Sequence, residues 1–129
     1  MARTGALFGI VGAILVGGAS RLLPIGVHLW DKSLGDAAYA TMVYFMVAFV
    51  RPGWRSFFVG GVALAVGITI EYFQLTGIPL RLPWLLQSAL QIALGTTFAC
   101  HDLAGYAVGA ALPALALMSR GLRPARAAR

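Results

Sequence analysis

The chain has 129 residues, of which 60% are hydrophobic and 11% charged, and its mean hydropathy is +0.83. Because soluble domains carry about 25% charged residues, this composition excludes an ordinary soluble domain and indicates an integral membrane protein. The formal net charge is +6, but the basic residues stand in the gaps between apolar runs, as topology signals do, so we expect no nucleic-acid partner. The single cysteine, Cys100, excludes an intramolecular disulfide.

The apolar runs predict an all-α fold, namely an integral membrane four-helix bundle over residues 1–118 followed by a basic cytoplasmic tail over 119–129. The first predicted span covers about residues 4–20, and its glycines, among them Gly5 and Gly9, permit close helix packing. A cleavable secretory signal is the rival interpretation of this run, because a basic residue precedes it and small residues follow it.

The second and third predicted spans cover about residues 36–50 and 56–78, and the tight basic turn 51–55 separates them. The polar connection 21–35 contains tryptophan and proline, which suits a position at the membrane interface. This connection joins the first predicted span to the second.

The stretch 82–94 is apolar except for one polar helical stripe, and it predicts a short amphipathic helix lying in the interface. A fifth span is the alternative, and the last predicted span follows at 103–118. Four spans with both termini in the cytoplasm place seven basic residues inside and three outside, which predicts a multi-pass protein of the cell (inner or plasma) membrane. The inside set is Arg3, Arg51, Arg55, Arg120, Arg123, Arg126 and Arg129, and the outside set is Arg21, Lys32 and Arg81.

Three of the four acidic residues, Asp36, Glu71 and Asp102, lie within or at the edge of apolar stretches, where a carboxylate is costly. In this topology all three fall in the extracytoplasmic half, and Glu71 lies about 10 Å below the outer boundary at Ile78. Together with polar residues on the same helix faces and at the rim, they predict an outward-facing acidic pocket. Its candidate ligand-binding residues are Asp36, Tyr39, Glu71, Gln74, Arg81, His101, Asp102 and Tyr106.

The same residues also have structural interpretations. Asp36 and Asp102 stand where a cap or first-turn acid would stabilise a helix, and Glu71 would form a structural hydrogen bond to Gln74, a tyrosine or Arg81. Gly105 and Gly109 form a G-x-x-x-G pair that permits close helix packing. No spacing of histidines and acids is typical of a metal site and no nucleophile motif is present, so we predict no metal, no cofactor and no catalytic residue.

Three short motifs carry a family resemblance. They are Gly35-Asp36-x-x-Tyr39, Glu71-Tyr72-Phe73-Gln74-Leu75 and Asp102-Leu103-Ala104-Gly105-Tyr106. Their order resembles a family of small bacterial membrane proteins catalogued as a domain of unknown function, DUF2809, over roughly residues 31–112. The resemblance implies a four-helix bundle and no established activity.

The pattern is more distantly similar to VanZ-like proteins. The shared positions are Asp31-Lys32, Tyr39, Glu71-x-x-Gln74, Asp102 and Gly109. Gly35 stands where that pattern has histidine and Tyr106 where it has asparagine, so the VanZ-type role in teicoplanin resistance is not transferred. The resemblance implies a shared scaffold with an outward acidic pocket.

The leading functional hypothesis is a membrane protein without enzymatic activity whose acidic pocket binds a lipid or a cell-envelope molecule. The first alternative is an accessory subunit that packs on a larger membrane complex or on its own copies through the first span and Gly60-Gly61. A small proton-coupled transporter fits less well, because the first span has no acid. An enzyme would use Glu71 or Asp102 as general acid or base on a lipid-linked substrate, but no nucleophile accompanies them.

Overall fold

The structure is a computed structural model, and it describes residues 2–27, 29–81, 83–86 and 100–121. Within these residues, four helices are long and apolar enough to cross a membrane. The prediction of an all-α chain with four apolar helices of spanning length is therefore confirmed. The predicted interfacial helix at 82–94 lies mostly outside the described residues, although Trp84, Leu85 and Leu86 are helical and exposed.

The long helices are α1 (Arg3–Leu22), α2 (Leu34–Val50), α3 (Ser56–Leu75) and α4 (Cys100–Gly121). One π-helical turn, Leu29–Ser33, leads directly into α2, so that the candidate span of this region begins earlier than predicted. Because this turn contains the charged residues Asp31 and Lys32, hydropathy alone does not predict it as part of the span.

Helix α3 ends three residues before the predicted boundary. Gly77 adopts a left-handed conformation with φ +66° and its N–H donates to the carbonyl of Gln74, which terminates the helix. A 3₁₀ turn, Ile78–Arg81, follows. Glu71 therefore lies four residues from the end of α3, about 6 Å along the helix axis, and not the ~10 Å expected from a helix reaching Ile78.

Helix α2 is the centre of the bundle, because it contacts α1, α3 and α4, while α3 and α4 also contact each other. Helix α1 packs mainly on α2 and leaves much of its apolar surface exposed. The core between α2, α3 and α4 consists largely of small side chains, which lets the helix backbones approach closely. Its buried residues are Val43, Tyr44, Ala48, Val59, Ala63, Ala110 and Ala114.

The closest approach joins α2 and α4. A Cβ atom added at Gly109 would overlap the backbone carbonyl of Ala37, and the hydroxyl of Thr41 donates to the carbonyl oxygen of Gly109 at 2.8 Å. One turn earlier, Gly105 packs against the start of α2. Of the two glycines singled out in α1, Gly9 faces the ring of Phe45 without room for a side chain, whereas Gly5 is exposed.

Candidate functional site

All four acidic residues of the chain lie at one end of the bundle, where α1 and α3 end and α2 and α4 begin. We refer to this end as the acidic end. The opposite end, where α1 and α3 begin and α2 ends, carries Arg3, Arg51 and Arg55 and is referred to as the basic end. All the acidic side chains therefore lie at the end of the bundle opposite to Arg3, Arg51 and Arg55.

Three carboxyl groups at the acidic end are almost completely buried. Asp36 in the first turn of α2 is 4% exposed, and Glu71 of α3 and Asp102 in the first turn of α4 are each 3% exposed. We refer to these three residues as the carboxyl cluster. Buried carboxylates are unfavourable unless they are paired or hydrogen-bonded, so the contacts of each one define what the cluster is able to do.

Two ion pairs serve the cluster. The guanidinium Nη2 of Arg21, at the end of α1, lies 3.5 Å from Asp36 Oδ1, and the ammonium Nζ of Lys32 lies 3.2 Å from Asp102 Oδ2. The side chains of the two basic residues are 29% and 35% exposed, so they cover the cluster from its solvent or headgroup side. Asp36 thus pairs with a neighbouring helix, and no side-chain capping bond occupies the start of α2.

In the sequence analysis, Arg21 has a topological role and Lys32 a place in the VanZ-like pattern, but neither is among the candidate pocket residues. The signal that would have found them is the charge balance of buried acids, since a carboxylate inside an apolar bundle requires a basic partner within reach. Both basic residues lie before α2 in the chain, Arg21 at the end of α1 and Lys32 in the π-helical turn. The fold places both of them at the acidic end.

Glu71 is held in a different way. Its side chain is hydrogen-bonded to the side chain of Tyr106, which is 2% exposed and lies on α4. Gly67, one turn before Glu71 on the same face, leaves room for the tyrosine ring, because a Cβ atom there would lie 3.0 Å from Tyr106 Cγ. Of the structural partners considered for Glu71, a tyrosine is therefore present.

The cluster contains more hydrogen-bond acceptors than donors. The carboxyl groups of Asp36 and Asp102 are neighbours in the cluster, and because ionised carboxylates are acceptors only, neither satisfies the other. Within the described part of the chain, Asp36 Oδ2 and Glu71 Oε2 are buried and have no hydrogen-bond partner. Three carboxyl groups thus face two basic side chains, and Glu71 is the one that no described cation pairs with.

Glycines make the space in which the ion pairs form. A Cβ atom at Gly35 would lie 3.2 Å from Ser20 Oγ and 3.3 Å from Arg21 Nε, so a side chain there would crowd the arginine. A Cβ atom at Gly105 would lie 3.1 Å from the Cβ of Asp36. The family motif residues Gly35 and Gly105 therefore have a direct steric role beside the cluster.

The other predicted pocket residues are distributed unevenly. The ring of Tyr39 stands edge-on to Tyr106 with 6.3 Å between centroids, which places it beside the cluster, and Gln74 is half-buried one turn beyond Glu71. Arg81 is exposed on the 3₁₀ turn, and the side chain of His101 lies outside the described part of the structure. A ligand-binding role for these residues stays a prediction.

Asp31, the fourth acid, has a local structural role. Its two carboxylate oxygens accept hydrogen bonds from the backbone N–H groups of Ile25, at 2.9 Å, and Gly26, at 3.0 Å. Nearby, the indole of Trp30 donates to the carbonyl oxygen of Leu23 at 3.0 Å. These bonds fasten the connection between α1 and α2 and so fix the position of the π-helical turn that carries Lys32.

Two apolar cavities approach the cluster and share two wall residues. A groove of about 560 Å³ runs between α2 and α3, and a smaller one of about 300 Å³ lies between α1 and α2. Tyr39 and Met42 line both. Among the described residues, no group of three histidine, cysteine or acidic side chains is arranged to hold a metal ion.

These features define a class, namely small helical proteins with four apolar helices of spanning length and buried carboxyl groups at one end. A family model described as "Protein of unknown function (DUF2809)" matches residues 26–110, and the chain belongs to this family, as its motifs predict. No curated protein and no solved structure matches the chain. Because the family description names no function, the function has to be argued from the site.

Proposed function

We propose that this chain is a multi-pass bacterial membrane protein whose carboxyl cluster binds a lipid or cell-envelope molecule through a hydrogen-bond donor, an amine or a hydroxyl group. The observation that carries the proposal is that two buried acceptor atoms, Asp36 Oδ2 and Glu71 Oε2, have no donor among the described residues. Leaving such atoms unsatisfied costs about 1–3 kcal/mol each, and more when they are charged. A ligand donor at this place would remove that cost.

The charges favour a cationic group over an anionic one. Three carboxyl groups share two basic side chains, so a primary ammonium would both donate hydrogen bonds and balance the remaining charge. A ligand phosphate or carboxylate would instead meet Glu71 in a site of low dielectric, where like charges repel strongly. The ligand group is therefore an amine first and a neutral hydroxyl second.

The proposed entrance lies between Arg21 and Lys32, since these are the exposed members of the site. Both are long flexible side chains and move aside at low cost. The arginines of the basic end and of the C-terminal tail support a cytoplasmic position for both termini by the positive-inside rule, which would place the carboxyl cluster on the extracytoplasmic side. The ligand would then come from the cell envelope or the outer leaflet.

The test is a native mass spectrum of protein released from its own membranes in mild detergent, comparing wild type with Glu71→Gln. Glutamine keeps the size of the side chain and still accepts a hydrogen bond from Tyr106, but it removes the charge. We expect a bound small molecule in the wild type whose occupancy falls at least tenfold in the variant. Its mass would identify the ligand class.

The matched control is Tyr72→Phe, which changes the exposed neighbour of Glu71, and it should keep the bound molecule. Circular dichroism of all three proteins would show that the helices remain. A wild type without a bound molecule, or a Glu71→Gln protein that retains it fully, would refute the proposal.

A second candidate function, an accessory subunit of a larger membrane complex, is favoured by the one-sided packing of α1. This helix contacts mainly α2, and the positions of Gly12 and Gly18 face open space, so another helix could approach there. Affinity purification in mild detergent tests it, and a monodisperse protein without a stoichiometric partner contradicts it. The transporter hypothesis and the VanZ-like resemblance stay predictions.

A further inference from the structure

The groove between α2 and α3 differs in its chemistry from the carboxyl cluster. Most of its walls are aliphatic or thioether side chains, including Met42, Met46, Val62 and Val66. Methionine side chains are flexible and polarizable, so they adapt to a partner without a fixed shape. A cavity of about 560 Å³ with such walls fits a hydrocarbon chain better than a polar molecule.

The length of the groove corresponds to one leaflet. Along α2 it extends from Tyr39 to Val50, a separation that spans about 17 Å at the helical rise. Half of a typical hydrocarbon core is about 15 Å thick. When the end of the groove beyond Val50 lies at the headgroups, on the side of the basic end, the other end of the groove, at Tyr39, lies near the middle of the bilayer.

The headgroup end of the groove is cationic. Arg51 and Trp54 line it, and the guanidinium of Arg51 lies 5.8 Å from the centroid of the indole ring, which stacks edge-on against Phe58. Stacking on the indole restricts the guanidinium without neutralising it. Because all four acidic residues are at the opposite end of the bundle, no acid competes for Arg51, and Arg55 adds a second exposed charge.

We infer that the α2–α3 groove holds one acyl chain of an anionic glycerophospholipid whose phosphate is bound by the guanidinium of Arg51. The charge of the mouth selects this occupant over a zwitterionic lipid, because a choline or ethanolamine group would add a positive charge next to Arg51 and Arg55. The inference does not depend on the proposed function, since Arg51 and the carboxyl cluster lie at opposite ends of the bundle and recognise groups of opposite charge.

The experiment measures lipid binding to the whole chain in detergent. Delipidated protein is incubated with equal amounts of phosphatidylglycerol and phosphatidylcholine carrying the same acyl chains, and the bound fractions are read by native mass spectrometry. One basic side chain near a membrane surface contributes about 1 kcal/mol, so we expect about fivefold more phosphatidylglycerol bound than phosphatidylcholine in the wild type. Arg51→Gln, a change of an exposed side chain, should bring the ratio close to one.

Two variants that fill the groove and two control variants make the result specific to the groove. Met46→Trp places a large side chain in the groove and should reduce binding of both lipids several-fold, and Val62→Phe does the same from α3 if the first variant does not fold. Arg3→Gln removes a basic-end arginine that lies over Phe49 and does not line the groove, so the ratio should be unchanged. Glu71→Gln, at the other end, should also leave the ratio unchanged.

Three results would overturn the inference. One is equal binding of the two lipids by the wild type, and another is a preference for phosphatidylglycerol that persists in Arg51→Gln. The third is a preference that Arg3→Gln lowers as much as Arg51→Gln does, since that would locate binding on the general positive surface of the basic end.

Discussion

At the acidic end, three carboxyl groups are at most 4% exposed and are held by partners from other helices, whereas at the basic end the guanidinium groups of Arg3 and Arg51 lie exposed over aromatic rings. The difference follows from how the charges reach the polar surroundings. A long arginine side chain at a helix end extends to the headgroups, but a short carboxylate inside the bundle does not.

The comparison teaches that charge is costly only where helix packing closes around it. Close contact of α2 with α4 around Gly105 and Gly109 seals the carboxyl cluster, so removing one partner there leaves an uncompensated charge. At the basic end a lost partner is replaced by water or headgroups. We therefore expect substitutions at the two ends to differ severalfold in their effect on the free energy of unfolding.

The largest effect is expected for Gly109→Ala. The added Cβ would overlap the carbonyl of Ala37, so α2 and α4 would have to separate and Thr41 would lose its hydrogen bond. We expect a loss of about 3 kcal/mol in the free energy of unfolding, measured by denaturant titration in mixed micelles. Gly61→Ala, where a Cβ meets open space, is the control and should change stability by less than about 0.5 kcal/mol.

The next effect concerns the ion pair at the acidic end. Lys32→Met keeps the length of the side chain but removes the ammonium that pairs with Asp102, and because the lysine is 35% exposed we expect a loss of about 2 kcal/mol in unfolding free energy. In the double variant Lys32→Met/Asp102→Asn the charge is gone, so at least half of the loss should return. A double variant no more stable than the single one would show that the two side chains act independently.

A smaller effect is expected for Thr41→Val, which keeps the shape of the side chain and removes the hydroxyl that donates to Gly109. Interhelical hydrogen bonds of this kind contribute about 0.6 kcal/mol on average in membrane proteins, so we expect a loss of about 1 kcal/mol or less. Thermal unfolding followed by circular dichroism measures it, with Thr69→Val, whose hydroxyl bonds within its own helix, as control. An equal loss in both variants would mean that the interhelical bond adds nothing.

The smallest effect is expected at the basic end. Arg3→Gln removes a guanidinium that lies 6.0 Å from the centroid of the Phe49 ring, and an exposed contact of this type contributes about 0.5 kcal/mol. The same unfolding assay as for Lys32→Met measures it. A loss of unfolding free energy as large as that of Lys32→Met would contradict the expected difference between the two ends.

Most of the helix pattern is predictable from the chain, and the errors have local causes. Hydropathy locates four apolar helices, because the cost of exposing apolar side chains is a property of each segment. The end of α3 was predicted three residues late, since Gly77 ends the helix through a backbone conformation that hydropathy does not record. The start of the second span was predicted late because Asp31 and Lys32 hid a π-helical turn.

The acidic residues of the candidate site were predictable from the sequence, but its basic residues were not. Asp36, Glu71 and Asp102 stand out in the chain because carboxylates are rare in apolar segments. Arg21 and Lys32 have nothing unusual in their sequence surroundings, and the same holds for Gly67, whose value is the space it leaves for Tyr106. Such roles depend on neighbours that are distant along the chain.

By itself, then, the sequence determined that this chain forms apolar helices with carboxyl groups at one end and arginines at the other, because burial cost and helix length follow from each segment alone. Only the tertiary structure decided that Lys32 pairs with Asp102, that Glu71 bonds to Tyr106, and that Asp36 Oδ2 and Glu71 Oε2 are buried with no donor in the described part of the chain. Those contacts join different helices, and they exist only because glycines let the helices approach within the reach of short side chains.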